Sequence, residues 1–300
     1  MSRINVRASR IRVLPLFILA ACCFTFAAAT TAQAQPKQQP QPTPQGQKPP
    51  KKKLQASSNF AQYASRDTSN RLIAGGATRN VGDEALRHEQ EGHDSYEAGR
   101  FAEAVESFKK VVALKPKNDR AHYHLGVAYE AAGRGAEAVA AYRKASELTG
   151  DPVIKAFSFY NTGNVHAAAG QKKEAIEAYR HVLALAPQSP EIHYNLGLAY
   201  AADGQTKEAL ESFKQAVALR PDYVDARFNL GITHGTAEQY REAVEAFKEV
   251  VRLKPGHAEA HYNLGLAYLA LEDSAAAQAE IKTLKSLKPE LAARLSEFAN

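Results

Sequence analysis

Four pairs of adjacent aromatic and asparagine residues recur in this sequence at intervals of 34 residues. The pairs are Tyr160–Asn161, Tyr194–Asn195, Phe228–Asn229 and Tyr262–Asn263, and Tyr123 precedes them beside His124. An asparagine amide can donate to a peptide carbonyl and accept from a peptide N–H. An adjacent aromatic ring offers contact area at a small cost in rotamer entropy. These nine residues are therefore candidate peptide-binding residues.

The ten histidines invite a metal-binding interpretation. His122 and His124 are two residues apart, so on a helix they point to different faces. His193 and His261 occupy equivalent positions in units that are too distant to share an ion. We therefore interpret the histidines as packing or groove residues, and we predict no metal site and no cofactor.

Motifs of well-known catalytic chemistry do not occur in the sequence. It has no Walker-type phosphate loop, no Gly-x-Ser-x-Gly turn and no His-Glu-x-x-His pair. The run Gly133-Arg134-Gly135 falls at a turn between two predicted helices, which explains its glycines. We predict no catalytic residue and no enzymatic activity.

A repeat positions the candidate residues. Six glycines stand 34, 37, 34, 34 and 34 residues apart, and each is followed by an alanine, then a large apolar residue, at constant intervals. A proline closes every unit except the second. The glycines are Gly92, Gly126, Gly163, Gly197, Gly231 and Gly265. A fixed period of this length predicts a stack of similar supersecondary units.

Each unit has the pattern of two antiparallel helices. In the fourth unit, apolar residues at helical spacing predict helices over about 190–203 and 206–219. Gly197 would let the partner helix approach, with Ala209 as the matching small residue and Phe213 filling the space beyond them. Pro221 would end the second helix, because proline lacks an amide donor and clashes with the preceding turn.

This pattern resembles the tetratricopeptide repeat (TPR) family. The family's small residue, Tyr, Ala, Phe and Pro correspond to Gly197, Tyr200, Ala209, Phe213 and Pro221. No tryptophan occurs, so other residues take the family's early tryptophan position. They are His88, His122, Phe159, His193, Arg227 and His261.

The resemblance implies an all-α fold, a TPR α-solenoid of six helix-turn-helix repeats in a right-handed superhelix. The expected repeats cover about 85–118, 119–155, 156–189, 190–223, 224–257 and 258–291. The second repeat carries three extra residues around 149–155. Leu291, Leu295 and Phe298 share one helical face, which predicts a C-terminal capping helix that closes the 85–300 domain.

In this family the first helix of each repeat lines the concave face, so the nine candidates would form a ladder in that groove. Similar asparagine ladders hold peptide backbone in O-linked N-acetylglucosamine transferases. A purely structural ladder, with the aromatic residues packed between repeats, is the alternative. TPR domains that clamp a terminal carboxylate use Lys and Arg on these helices, whereas this chain has Glu191, Asp225 and Glu259. A neutral or basic segment is therefore the expected ligand.

Residues 1–34 have the pattern of a signal peptide. Four arginines precede an apolar run from Val13 to Ala29, and Ala32-Gln33-Ala34 fits a cleavage site. An uncleaved anchor is one alternative, and lipidation of Cys22 in a lipobox-like run is another. We expect an exported protein, periplasmic or extracellular, which is attached to a membrane only if Cys22 is lipidated or the signal is retained.

Residues 35–84 are predicted to be a disordered Pro/Gln/Lys-rich linker. The net charge of +6 comes from the N-terminal part of the chain, since four arginines before residue 34 and five lysines in 35–53 face no acidic residue there. The remaining chain is acidic overall, which argues against a nucleic-acid partner. Both cysteines precede residue 34, so the cleaved chain would form no disulfide and no thiolate metal site.

These observations predict a non-catalytic scaffold or assembly factor that binds extended protein or peptide segments in its concave groove outside the cytoplasm. They predict neither a small-molecule substrate nor a nucleic-acid partner. The alternative is a structural subunit of an envelope complex that docks by its convex face or by self-association.

Overall fold

The computed structural model describes residues 76–299, and side chains from residue 81 onward. The predicted signal peptide, Cys22 and most of the predicted linker lie outside the described residues. The described part of the chain forms thirteen α-helices and no strand. The helices are α1 (Gly76–Glu97), α2 (Phe101–Leu114), α3 (Asp119–Ala131), α4 (Gly135–Leu148), α5 (Pro152–Ala168), α6 (Lys172–Leu185), α7 (Pro190–Ala202), α8 (Thr206–Leu219), α9 (Val224–Thr236), α10 (Tyr240–Leu253), α11 (Ala258–Ala270), α12 (Ser274–Leu287) and α13 (Pro289–Ala299).

Short links of three or four residues join successive helices from α1 to α12, and links of this length place neighbouring helices antiparallel. The helices form six pairs, from α1–α2 to α11–α12, and α13 packs on both helices of the last pair. Each second helix also packs on the first helix of the next pair. The predicted α-solenoid with a C-terminal capping helix is thereby confirmed.

The first helices of several neighbouring repeats contact each other directly. Direct contacts join α3 to α5, α7 to α9 and α9 to α11, whereas the second helices of neighbouring pairs contact each other less. These contacts are compatible with the expectation that the first helices line the concave side of the array.

In the first five repeats, the glycine in the middle of the first helix packs against an aromatic ring from the second helix. An ideal Cβ at Gly126 would lie 2.6 Å from the Tyr142 ring, and one at Gly197 would lie 2.7 Å from the Phe213 ring. Only glycine allows an approach this close. The side chain nearest to Gly197 is thus the ring itself, and not the alanine that the sequence suggested as its matching partner.

The last repeat departs from this arrangement. Gly265 is covered by Leu295 of α13, and not by Ile281, which occupies the aromatic position of that repeat. Leu295 is fully buried together with Ile281, Leu284 and Tyr262. The capping helix therefore completes the core of the sixth repeat as well as covering its end.

The three extra residues of the second repeat lengthen a helix. Helix α5 has 17 residues, whereas α3, α7, α9 and α11 have 13 each. Pro152 stands in its first turn, and the Asp151 carboxylate accepts from the Val153 amide. Both residues favour helix initiation at this point. The insertion therefore extends the start of α5.

The first helix begins earlier than the predicted domain boundary. Helix α1 starts at Gly76, so the border expected between residues 84 and 85 falls inside a helix. None of the helices in residues 76–299 combines the length and apolar character needed to cross a bilayer.

Side chains at the family's tryptophan position bond to the loop before their helix in four of the repeats. Each contact joins a ring or guanidinium nitrogen to the carbonyl oxygen of the proline that ends the preceding repeat. The pairs are His122–Pro116 (3.0 Å), His193–Pro187 (3.0 Å), Arg227–Pro221 (2.7 Å) and His261–Pro255 (2.9 Å). A polar donor therefore anchors the inter-repeat loop at this position.

Candidate functional site

The predicted ladder lies on α3, α5, α7, α9 and α11, and the structure links its members across repeats. Three of the four asparagines donate through Nδ2 to the hydroxyl of the ladder tyrosine in the preceding repeat. The pairs are Asn161–Tyr123 (3.1 Å), Asn195–Tyr160 (3.3 Å) and Asn229–Tyr194 (3.3 Å). Phe228 has no hydroxyl, so Asn263 lacks this partner. The ladder is thus a chain of hydrogen bonds between repeats as well as a surface.

The aromatic members are packing residues. Tyr123, Phe228 and Tyr262 are buried, whereas Tyr160 and Tyr194 are half-buried. Four of the five rings tilt against the ring that covers the glycine of their own repeat, at centroid separations of 5.7 to 6.2 Å. These contacts are Tyr123–Tyr142, Tyr160–Tyr179, Tyr194–Phe213 and Phe228–Phe247. A ligand in the groove could therefore reach Tyr160 and Tyr194 more readily than the other three.

The asparagines are oriented by their own helices. Asn229 Nδ2 donates to the Asp225 carbonyl (2.9 Å), and Asn263 Nδ2 donates to the Glu259 carbonyl (2.7 Å). A carbonyl only accepts, so these bonds fix which end of the amide faces the helix. No described residue bonds to Oδ1 of Asn229 or Asn263. The half-buried ladder therefore offers acceptor oxygens to a ligand.

Burial favours the neutral form of two tyrosines at the ladder, Tyr123 and Tyr223. Burial raises the pKa of Tyr123 to about 12, and the bond from Asn161 opposes this shift. Burial, Glu191 and Asp225 together raise the pKa of Tyr223 to about 12; this residue's ring packs on Tyr194. These phenols remain protonated at neutral pH, so their hydroxyls can both donate and accept.

The carboxylates beside the ladder differ in their surroundings. Glu191 pairs with Arg220, and Glu259 pairs with Lys288 at 2.8 Å, a bond that lowers the pKa of Glu259. Asp225 forms no ion pair with another described residue. Of the three acidic residues that suggested a neutral or basic ligand, Asp225 alone therefore keeps an uncompensated charge within this part of the chain.

The first repeat replaces the ladder with a different set of side chains. Glu89 stands at the aromatic position and His124 at the asparagine position of the next repeat, and His93 lies one turn after Glu89. Their potential ligand atoms all lie within 4.8 Å of one another. Burial, His93 and Arg120 lower the pKa of His124 to about 3, so its imidazole is neutral at ordinary pH.

The sequence contains a signal for this cluster. Glu89 and His93 are four residues apart, which places them on one helix face. Comparing the asparagine position of one repeat with the aromatic position of the previous repeat would have paired His124 with Glu89. The spacing of histidines within one helix, and their equivalent positions in distant repeats, do not indicate that Glu89, His93 and His124 lie together.

Comparisons with known proteins agree with the geometry. Models described as "Tetratricopeptide repeat" match residues 90–152, 188–256 and 228–290, and one described as "TPR repeat" matches 163–204. The matches omit 153–162, which lies in the lengthened helix α5. None of the curated proteins resembles the chain significantly in sequence.

Several solved structures resemble the fold. The crystal structure of YrrB, described as a TPR protein with an unusual peptide-binding site, has 26% identity and a TM-score of 0.57, with 65% of this chain and 100% of that chain covered. MamA from Desulfovibrio magneticus RS-1 has 25% identity and a TM-score of 0.54, with 59% and 98% covered. A TPR protein from Parabacteroides merdae ATCC 43184 has 21% identity and a TM-score of 0.57, with 72% and 90% covered, and supports the fold alone.

The repeat pattern, the six helix pairs and these matches lead to one conclusion: the chain belongs to the tetratricopeptide repeat family.

Proposed function

We propose that this protein is a non-catalytic scaffold that binds extended peptide segments along its asparagine ladder. TPR proteins mediate protein–protein interactions, and YrrB is a similar chain that is described as having a peptide-binding site. The observation that carries the proposal is the fixed orientation of Asn229 and Asn263. Their amide nitrogens are held by the protein, so their oxygens are left for a ligand.

The spacing of the first helices suits an extended strand. Equivalent packed helices lie on the order of 10 Å apart, and a strand advances about 3.3 Å per residue. One asparagine oxygen would therefore accept from about every third peptide N–H of a bound segment. Since these bonds involve only the ligand backbone, recognition would tolerate many sequences.

The charge beside the ladder favours a neutral or basic segment. Asp225 lies one turn before Asn229 at the middle of the ladder and is exposed. A positive side chain on the ligand could approach it, whereas Glu191 and Glu259 are already paired with Arg220 and Lys288. The proposal includes neither a small-molecule substrate nor a nucleic-acid ligand.

The test is a triple Asn195→Ala, Asn229→Ala and Asn263→Ala variant, measured by calorimetry on a segment identified by affinity capture from native extracts. Each lost hydrogen bond costs about 0.5–1.5 kcal/mol, so affinity should fall by roughly ten- to a thousandfold. Wild-type affinity in a folded triple variant would contradict ladder binding.

A matched control separates binding from packing. Tyr160→Phe and Tyr194→Phe remove the hydroxyls that accept from Asn195 and Asn229 but keep both rings and both asparagines. This double variant should lose some stability and keep most of its affinity. An equal loss of affinity in both variants would mean that the ladder acts by holding the repeats together.

A second candidate function is docking through the outer surface, as a structural subunit or by self-association. Leu185, Leu219 and Leu287 end the second helices of three repeats at equivalent positions, and each is about 40% exposed. An apolar patch built from such leucines would be of the kind that marks interaction surfaces. A Leu185→Ser, Leu219→Ser and Leu287→Ser variant that loses its partner or its oligomeric state would favour this alternative.

We also propose that the chain is exported and cleaved after Ala34. The support is the arginine-rich start, the apolar run and the Ala-x-Ala site of residues 1–34. Intact-mass analysis of the protein from its native source should give a chain that begins at Gln35. A mass that includes acyl chains on Cys22 would instead indicate a lipoprotein, and a full-length mass would indicate a retained anchor.

A further inference from the structure

The first two repeats bring together a carboxylate and two imidazoles. Glu89 and His93 are one helical turn apart on α1, and His124 faces them from α3. Their potential ligand atoms lie within 4.8 Å of one another. His124 is buried, whereas Glu89 and His93 are half-buried. Two helices therefore hold three potential metal-ligating side chains, of two chemical types, at one place.

The cluster stands in register with the ladder but differs from it chemically. In the second, third and fourth repeats, a tyrosine at the aromatic position accepts from the next repeat's asparagine, as in Asn161–Tyr123. At the junction between the first and second repeats, Glu89 replaces the tyrosine and His124 replaces the asparagine. Both members of the pair have changed to residues that bind metals, and His93 adds a third.

Aromatic contacts fix both imidazoles. The His93 ring meets the Phe108 ring edge-on at 5.2 Å and the His124 ring edge-on at 4.6 Å. The His124 ring stacks on Phe108 at 5.6 Å. Phe108 is itself held against Gly92 and is almost fully buried. The two imidazoles therefore sit on an apolar support that limits their movement.

Glu89 is the adjustable member of the cluster. It forms no hydrogen bond or ion pair with another described residue, and its side chain has three rotatable bonds. A bound cation would give this half-buried carboxylate a partner of opposite charge. Rotation of Glu89 can bring a carboxylate oxygen nearer to both imidazoles, toward the roughly 3.3–3.5 Å between ligand atoms that tetrahedral bonds of about 2.0–2.1 Å require.

We propose that Glu89, His93 and His124 form a binding site for a divalent first-row transition-metal ion, with Zn²⁺ as the preferred probe. Two imidazoles and one carboxylate suit such ions better than Ca²⁺ or Mg²⁺, which take oxygen ligands. Three protein ligands leave a fourth position for water or for a donor group of a bound segment. The ion would also tie α1 to α3 and so join the first two repeats.

The test is calorimetric titration of ZnCl₂ into the full chain with Cys22→Ser and Cys23→Ser, so that no thiolate competes. We expect one ion per chain and a rise in melting temperature. Glu89→Gln and His93→Ala should each weaken binding by at least about tenfold, a change that even residues supporting a metal ligand can produce. His181→Ala removes an exposed imidazole outside the cluster and should bind as the parent does.

A double variant, Glu89→Tyr with His124→Asn, gives the junction between the first two repeats the tyrosine–asparagine pair that three other junctions have. It should fold, because that pair is accommodated at three other repeat junctions, and it should lose both zinc binding and the zinc-dependent rise in melting temperature. If this variant does not fold, the zinc affinity of the Glu89→Gln variant, which changes a half-buried side chain, decides the question. Unchanged zinc affinity in Glu89→Gln and His93→Ala, or no binding by the parent at about 100 µM zinc, would overturn the proposal.

Discussion

A glycine in the middle of a helix costs about 1 kcal/mol relative to alanine, yet this chain carries one in the first helix of every repeat. At Gly197 the compensation is visible, because the Phe213 ring lies where a Cβ would be and is fully buried. Burial of a phenylalanine side chain contributes about 1.5–3 kcal/mol. Burial of the ring therefore stabilises the repeat by more than the glycine destabilises its helix.

At the residue scale we predict that Gly197→Leu destabilises the array by about 1–3 kcal/mol. The leucine would occupy the space of the Phe213 ring and push α7 away from α8. Thermal and urea denaturation, followed by circular dichroism, measure the effect. Lys207→Leu adds the same side chain at an exposed position of α8 and should change stability little; equal stability of both variants would contradict this packing scheme.

The sequence predicted which residues would be small and which large, but not every contact between them. Gly197 and Phe213 were both identified from the repeat. That Leu295, and not Ile281, covers Gly265 depends on how the capping helix docks, which no periodicity encodes. Likewise, the sequence shows His124 beside Tyr123, but the proximity of His124 to Glu89 follows only from the stacking of neighbouring first helices.

At the scale of the element, the turn inside each repeat requires a left-handed backbone conformation. Four repeats place glycine there, as at Gly204 with φ of 78°. The last two repeats place Glu238 and Glu272 at the same position, with φ of 59° and 63°. For a residue with a Cβ this conformation costs roughly 1–2 kcal/mol, so two turns of the array are strained.

We predict that Glu272→Gly stabilises the protein by about 0.5–1 kcal/mol. Glycine relieves the backbone strain in the folded state, but it also adds conformational entropy to the unfolded chain, which offsets part of the gain. Glu272→Ala is the matched control, because it removes the charge and keeps the Cβ, and it should give no gain. In the opposite direction, Gly204→Ala should lose about 1 kcal/mol, since a Cβ there meets no atom within 4 Å and only conformation is affected. Equal urea midpoints for Glu272→Gly and Glu272→Ala would count against the strain argument.

Helix boundaries were predictable where the repeat is regular. The fourth repeat was expected to have helices over 190–203 and 206–219, and it has Pro190–Ala202 and Thr206–Leu219. The insertion near 149–155 could have entered either the loop or the helix, because periodicity does not decide between them. Asp151 and Pro152, a capping residue followed by a proline suited to the first turn, were the local signal that it extends α5.

At the scale of the whole molecule, the array is one-dimensional. The main contacts of each described helix are with helices of its own repeat, the adjacent repeats or the capping helix, so stability is a sum of repeat and interface contributions. A change in one repeat should therefore loosen that repeat and its neighbours and leave distant repeats intact. Hydrogen exchange resolved along the chain can distinguish this behaviour from cooperative unfolding of the whole array.

The capping helix provides the clearest test. Leu295 is fully buried against Gly265, and a buried leucine replaced by alanine costs about 2–5 kcal/mol. We predict that Leu295→Ala accelerates amide exchange throughout α11 and α12 and leaves exchange in α3 and α4 unchanged. Leu287→Ala makes the same substitution at a site that is 41% exposed and should change stability by less than about 0.5 kcal/mol. If Leu295→Ala instead accelerated exchange equally in all repeats, the array would unfold as one cooperative unit, and the capping helix would stabilise every repeat and not only the last.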